Sequence, residues 1–193
     1  MVWLDNQKAI LVFLVGLVIN TFGMLYTQHH GLRHYVRNQC KRPRDVGFLS
    51  LPRGVIPEDA VNWPLVVPVI ASLLSSKRGL IFRDFAFLFG AVLMIRGIAI
   101  SVTQLPESRD IGKQRSLWQI CTTGGDFDKV VSGHTSWMLL FTLVLIKYGV
   151  WNRFSLVLPV AVAILLVQTR AHYTVDVWLG GVISTLLFLA FGI

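Results

Sequence analysis

TRAHYTVDVWLGG (residues 169–181) opens the last apolar run of a 193-residue chain with Arg170, His172 and Asp176. An ionisable side chain costs roughly 3 kcal/mol at mid-bilayer on insertion scales. Three of them at the mouth of an apolar segment therefore need partners. Where those partners come from decides how the earlier apolar runs are arranged.

The composition sets the class. Hydrophobic residues make up 54% of the chain and charged residues 15%, with a mean hydropathy of +0.62. A soluble domain carries roughly 25% charged residues. The chain is expected to form a single polytopic membrane domain over residues 1–193. Its net charge of +8 raises the possibility of nucleic acid, but no stretch interleaves a basic stripe with aromatics on a water-soluble scaffold. The expected partners are the lipid bilayer and phosphate-bearing lipids, with no nucleic acid. Cys40 and Cys121 are too few for a disulfide framework or a zinc site. Two free thiols are the default and a single bridge is the alternative. The first apolar run lacks a basic leader and a small-residue cleavage site, so it reads as a retained span.

A helix needs about 20 apolar residues to cross a ~30 Å core. Residues 9–27, 85–104, 131–150, 153–171 and 173–192 meet this. Residues 62–76 are shorter and carry Pro64 and Pro68. The expected fold is an all-α integral membrane protein, a bundle of six transmembrane helices, or five if residues 62–76 are re-entrant. Residues 28–61 and 105–130 read as long polar loops, and 77–84 and 147–153 as short turns with basic ends. The loops 28–61, 105–130 and 170–172 carry more Lys and Arg than the opposite face, which by the positive-inside rule places them in the cytoplasm. Cations reserved for phosphate would weaken that inference, so orientation stays open.

Chemistry gathers in two places. In GGDFDKVVSGHTSW (124–137), Ser132 is placed to cap a helix, leaving the N–H groups at Gly133 beside the positive end of the helix dipole, a setting for an anion. His134 then stands in the first turn as a general acid or base. In RAHYTVDV (170–177), His172 and Asp176 are spaced i, i+4, one turn apart on a helix face. A carboxylate there fixes the imidazole tautomer and aims the other nitrogen as a nucleophile. From His134 to the end of its span is ~24 Å of rise, and from Arg153 back to His172 ~28 Å. One crossing out and one back bring the histidines to similar depth.

Arg170 can clamp phosphoryl oxygens. Lys129 is expected to attract phosphate and Asp126 to order the loop, although solvated loop charge explains either. Arg96, inside the third run, either pairs with a carboxylate or binds a ligand. A lone interfacial histidine is more often a structural hydrogen-bonder. Two converging histidines, one with an i+4 carboxylate and one on a Ser-Gly turn, point instead to phosphoryl transfer that needs no metal and no cofactor.

Three stretches, RGIAISVTQLP (96–106), GGDFDKVVSGHT (124–135) and HYTVDV (172–177), come in the order and spacing that resembles the sphingomyelin synthase family, within the wider lipid phosphatase superfamily. IPEDAVNWPLV (56–66) is a weaker echo. The resemblance covers residues 56–190. It implies that His172 attacks the donor phosphate to give a phosphohistidine, that Asp176 supports it, and that His134 protonates the leaving group. It further implies a glycerophospholipid donor, a ceramide or diacylglycerol-like acceptor, and an endomembrane (Golgi or ER) or plasma-membrane enzyme. The broader phosphatases carry an arginine about six residues before the histidine. Leu166 stands there and Arg170 is nearer, which favours the synthase branch. A lipid phosphatase or phospholipase C acting with water is the alternative enzyme. A non-catalytic lipid-binding membrane protein is the alternative outside catalysis.

Overall fold

The computed structural model describes residues 5–38, 61–103, 128–169 and 171–191, the side chains of 32–38 excepted. Among these residues the fold is all-helical. Six α-helices follow in order: α1 (Asn6–Asn38), α2 (Val66–Leu74), α3 (Arg78–Val102), α4 (Gly133–Lys147), α5 (Val157–Gln168) and α6 (Thr174–Ala190). Single 3₁₀ turns, Trp63–Leu65 and Arg153–Leu156, lead into α2 and α5.

Three expected boundaries are corrected. The loop expected from residue 28 begins as helix, because α1 continues to Asn38 and no proline interrupts it before Pro43. The turn expected at 77–84 is instead the start of α3, which begins at Arg78. The stretch 62–76 forms a helix of only nine residues, about 13 Å of rise. Pro64 sits at the start of the 3₁₀ turn and Pro68 in the first turn of α2, where a missing N–H is tolerated.

α1 and α3 meet through glycines. A Cβ on Gly16 would strike the Gly90 carbonyl, and one on Gly90 would lie 2.7 Å from Phe13 Cα. Seven residues along each helix, a Cβ on Gly23 would lie 2.5 Å from the Gly97 carbonyl oxygen, and one on Gly97 would lie 2.7 Å from Ile19 O. Only glycine lets two backbones run this close. α3 presents Phe85, Leu88, Phe89 and Val92 to Leu140, Phe141 and Val144 of α4 in the main core. Phe85 and Phe141 stack with centroids 3.6 Å apart.

The starts of α4 and α6 are lashed together. Ser132 N–H donates to Asp176 O at 3.0 Å and Ser136 Oγ donates to Gly180 O at 3.2 Å. Gly180 is required there, since a Cβ would lie 2.8 Å from Ser132 O.

α1 over Asn6–Gly31 and α3 over Arg78–Val102 are long and apolar enough to cross a membrane; the other helices are shorter. The bundle is apolar on its outside as well. Leu11 is 62% exposed, Phe22 69% and Trp178 66%.

Candidate active site

Ser132 caps α4 as its sequence position predicts. Its Oγ accepts the Thr135 N–H at 3.2 Å, and its side chain is fully buried. That engagement makes Ser132 the builder of the helix start. Gly133 and His134, the first two helical residues, have no acceptor within the helix for their N–H groups.

His172 arrives from the other side. α5 ends at Gln168, and the chain folds back so that the Ala171 and His172 N–H groups donate to Leu166 O at 3.0 and 3.3 Å. Here the expectation of a shared helix face is corrected. α6 begins at Thr174, so His172 precedes the helix and Asp176 lies in its first turn. Asp176 Oδ2 accepts the Tyr173 N–H at 3.0 Å, a capping contact that competes with side-chain pairing along a helix. The same oxygen stands 3.4 Å from His172 Nδ1. The imidazole and carboxylate do meet, through a cap. That contact directs Nδ1 to Asp176 and leaves Nε2 for other work.

The two histidines meet edge to face, with ring centroids 5.8 Å apart. The lashing of α4 to α6 at Ser132 and Asp176 is the cause. Both rings line a cavity of about 310 Å³ with a polar end and an apolar body. Arg96, Asp128, Lys129 and Asn20 share the polar end with the histidines, while Phe13, Leu17, Phe89 and Leu93 form the walls.

Arg96 is committed. Its Nε donates to Val131 O at 2.9 Å, Nη1 to Asn20 Oδ1 at 2.5 Å, and Nη2 to Asp128 Oδ2 at 2.7 Å. Of the two readings of this buried cation, the structure shows carboxylate pairing. The guanidinium fixes residues 128–131 against α1 and α3. Lys129, only 4% exposed, holds its Nζ 3.4 Å from Asp128 Oδ1 and borders the cavity. Burial works to raise the Asp128 carboxyl, but the charges of Lys129 and Arg96 more than reverse this and hold it well below the carboxylate range. Burial, reinforced by the charges of Lys129 and His134, holds the His172 imidazole well below its ordinary 6.5. His172 is thus neutral at pH 7, the state a nucleophilic imidazole needs. Arg170 and Asp126 lie outside the described residues, as do Cys40 and Cys121. Among the described residues no three His, Cys, Asp or Glu side chains are gathered as a metal site.

Three contributors are not legible in the motifs. Asp128 answers Arg96; the signal was the buried cation itself, which demanded a carboxylate somewhere. Asn20 is the one amide within the apolar stretch 9–27, a feature that asks for a partner. Asn62 gave no signal. Its Oδ1 lies 2.9 Å from His134 Nε2, and three residues on, Leu65 O accepts the Trp137 indole N–H at 3.3 Å. The segment 62–65 thus straps the first turns of α4. Through Asn62, which accepts the Nε2 proton, it leaves His134 Nδ1 as the basic nitrogen.

Residues 125–192 match the PAP2 superfamily C-terminal family. The match takes in α4, α5, α6 and both histidines, and it supports a relationship to the lipid phosphatase superfamily. It supports phosphatase- or phosphotransferase-type lipid chemistry in general without reaching the sphingomyelin synthase branch. No curated protein matches the chain.

Proposed function

We propose that the chain is a membrane-embedded lipid phosphotransferase. It moves a phosphorylated head group from a glycerophospholipid to ceramide or a related lipid alcohol through a phosphohistidine at His172. The observation that carries this reading is the pair of imidazoles, 5.8 Å apart, at the cationic end of a cavity whose remaining walls are apolar. A phospholipid has the same polarity profile, with phosphate at one end and hydrocarbon beyond it. The apolar exterior and the two long apolar helices support placement in a bilayer.

His172 Nε2 attacks phosphorus, and the bond from phosphorus to the diacylglycerol oxygen breaks. That oxygen takes the Nδ1 proton of His134, which enters this step as the imidazolium and leaves it neutral, with Nε2 still donating to Asn62. Asp176 stabilises the positive charge that forms on the His172 ring. The acceptor hydroxyl then attacks phosphorus and gives its proton to His134. The phosphorus–nitrogen bond breaks, returning its electron pair to Nε2. Phosphoryl oxygens lie against Lys129 and the N–H groups of Gly133 and His134, with Arg170 assigned to the same oxygens. Asp128 and Arg96 hold Lys129 and the α4 cap in place, while Ser132 forms that cap and Asp126 orders the loop leading to it.

The PAP2 match spans residues that serve equally when water is the acceptor, so a lipid phosphatase or phospholipase C is the second reading. Incubating the purified chain with mixed phospholipids and ceramide, followed by mass analysis, tests both. Sphingophospholipid together with diacylglycerol is the expected result. Diacylglycerol with free phospho-head-group selects the hydrolase, and absence of either product overturns the enzyme reading.

A further inference from the structure

The end of the bundle away from the histidines holds a second cavity, of about 420 Å³. It lies between the first turns of α1 and α3, with walls of Ala9, Ile10, Phe82 and Phe85. Asn6 and Arg83 line it as well and give it a hydrophilic edge.

Arg83 belongs to a cluster with surplus positive charge. Its Nε and Nη2 donate to Asp84 Oδ1 at 2.9 and 2.7 Å. Lys147 Nζ and the Tyr148 hydroxyl donate to Asp84 Oδ2 at 2.8 and 2.7 Å. One buried carboxylate therefore answers two cations, whose side chains are 24% and 29% exposed. Exposed Arg78 and Lys77 add charge at the same end, and Lys77 Nζ reaches Tyr148 O at 3.0 Å.

An apolar slot edged by more cations than carboxylate complements one kind of bilayer molecule. A zwitterionic head group brings its own cation and gains less there than an anionic one. We propose that this cavity binds an anionic glycerophospholipid, tail in the slot and phosphate against Arg83, in the leaflet opposite the histidines. This rests on the membrane placement proposed above, and not on the reaction. Arg83 and Arg96 are separated by thirteen residues of α3, ~20 Å of rise, so a phosphate at one cannot reach the other. The bound lipid is distinct from the reacting one. The two cavities share Phe13 and Trp137, so the tails of the two lipids would approach one another at mid-bundle.

The test uses the full chain in nanodiscs that contain a phosphatidylglycerol or a phosphatidylcholine bearing the same photoreactive acyl chain, with labelled peptides mapped by mass. The anionic probe is expected to label residues 9–13 and 82–86 over the zwitterionic one, by about fivefold for each cation engaged. Arg83→Gln with Arg78→Gln removes that excess while leaving Asp84 its Lys147 and Tyr148 partners. Ala86→Phe fills the slot and lowers labelling by either probe. Equal labelling by the two probes, or an excess that survives the double variant, overturns the proposal. So does labelling confined to residues 89–96 and 133–137, which would mean that the tail enters from the histidine end. Recovery of the chain in the lipid-free fraction without detergent overturns the membrane placement and this site with it. A chain that inserts but binds without regard to head group overturns the site alone.

Discussion

Asp84 and Asp128 are both 1% exposed and each stands between two cations, at opposite ends of the bundle. At Asp84 the donors of Arg83, Lys147 and Tyr148 come within 2.7–2.9 Å, and both cations retain contact with the surroundings. At Asp128 only Arg96 is close, at 2.7 Å, with Lys129 at 3.4 Å. The Arg96 and Lys129 side chains there are 8% and 6% exposed. A similar set of charges acts as a clamp where it is partly open and as a charged cavity wall where it is shut in. Electrostatic attraction grows as water is excluded, so the closed end has the stronger field and the greater dependence on every partner.

The contrast can be broken at several levels. His172→Ala is expected to lower turnover by about 10⁴-fold with the thermal unfolding midpoint little changed, whereas Asp84→Asn leaves turnover near wild type. Turnover in His172→Ala within tenfold of wild type would refute the nucleophile. Next in size is the cost of losing each carboxylate. Asp128→Asn strands two buried cations and should cost about 3–5 kcal/mol. Asp84→Asn, whose cations can turn outward, should cost about 1 kcal/mol. Denaturant titration in micelles compares them, and equal costs would erase the distinction between the two ends.

The glycine contact is a third lever. Gly97→Ala sets a Cβ against Ile19 O at 2.7 Å and should destabilise by about 1–3 kcal/mol, drawing Asn20 away from Arg96. Gly79→Ala meets nothing within 4 Å and should be neutral or slightly stabilising by the same measurement. A smaller effect is expected at the strap. Asn62→Ala frees the His134 ring and should reduce turnover about tenfold, less than the roughly 10²–10⁴-fold that a general acid–base group itself contributes, with unfolding unchanged. Activity equal to wild type would remove Asn62 from the site.

The smallest effect is the pH dependence of stability. The folded chain keeps His172 neutral where the unfolded chain begins to protonate it, at its ordinary 6.5. Below that value the unfolded state binds more protons. The contribution of His172 is therefore complete above pH 6.5 and lost as pH falls, by up to about 1.4 kcal/mol per unit. Asp128, also held low, adds its own loss only below the ordinary carboxylate range. Unfolding midpoints measured from pH 7.5 to 5.5 should fall in wild type and fall less in His172→Ala. Parallel curves would mean that His172 is not the group responsible.

The local features of this protein were legible in its sequence. Apolar run length gave the helical class and the approximate positions of α1, α3, α4, α5 and α6, because helix formation and burial depend on neighbours in the chain. Ser132 reads as a cap for the same reason. Counting residues out along α4 and back along α5 brought His134 and His172 to one level, since rise per residue is fixed. What a period cannot show is where a helix starts when a cap competes with it. For that reason Asp176 was expected one turn down a shared face from His172 and instead reaches it from the first turn of α6. Only the tertiary structure decided that Arg96 is held by Asn20, Asp128 and Val131, and that Asn62 steadies His134. These pairs lie 32 to 76 residues apart. Hydrogen bonds between distant segments leave no spacing in the sequence, because their geometry is set by the packing of α1 on α3 and of α4 on α6.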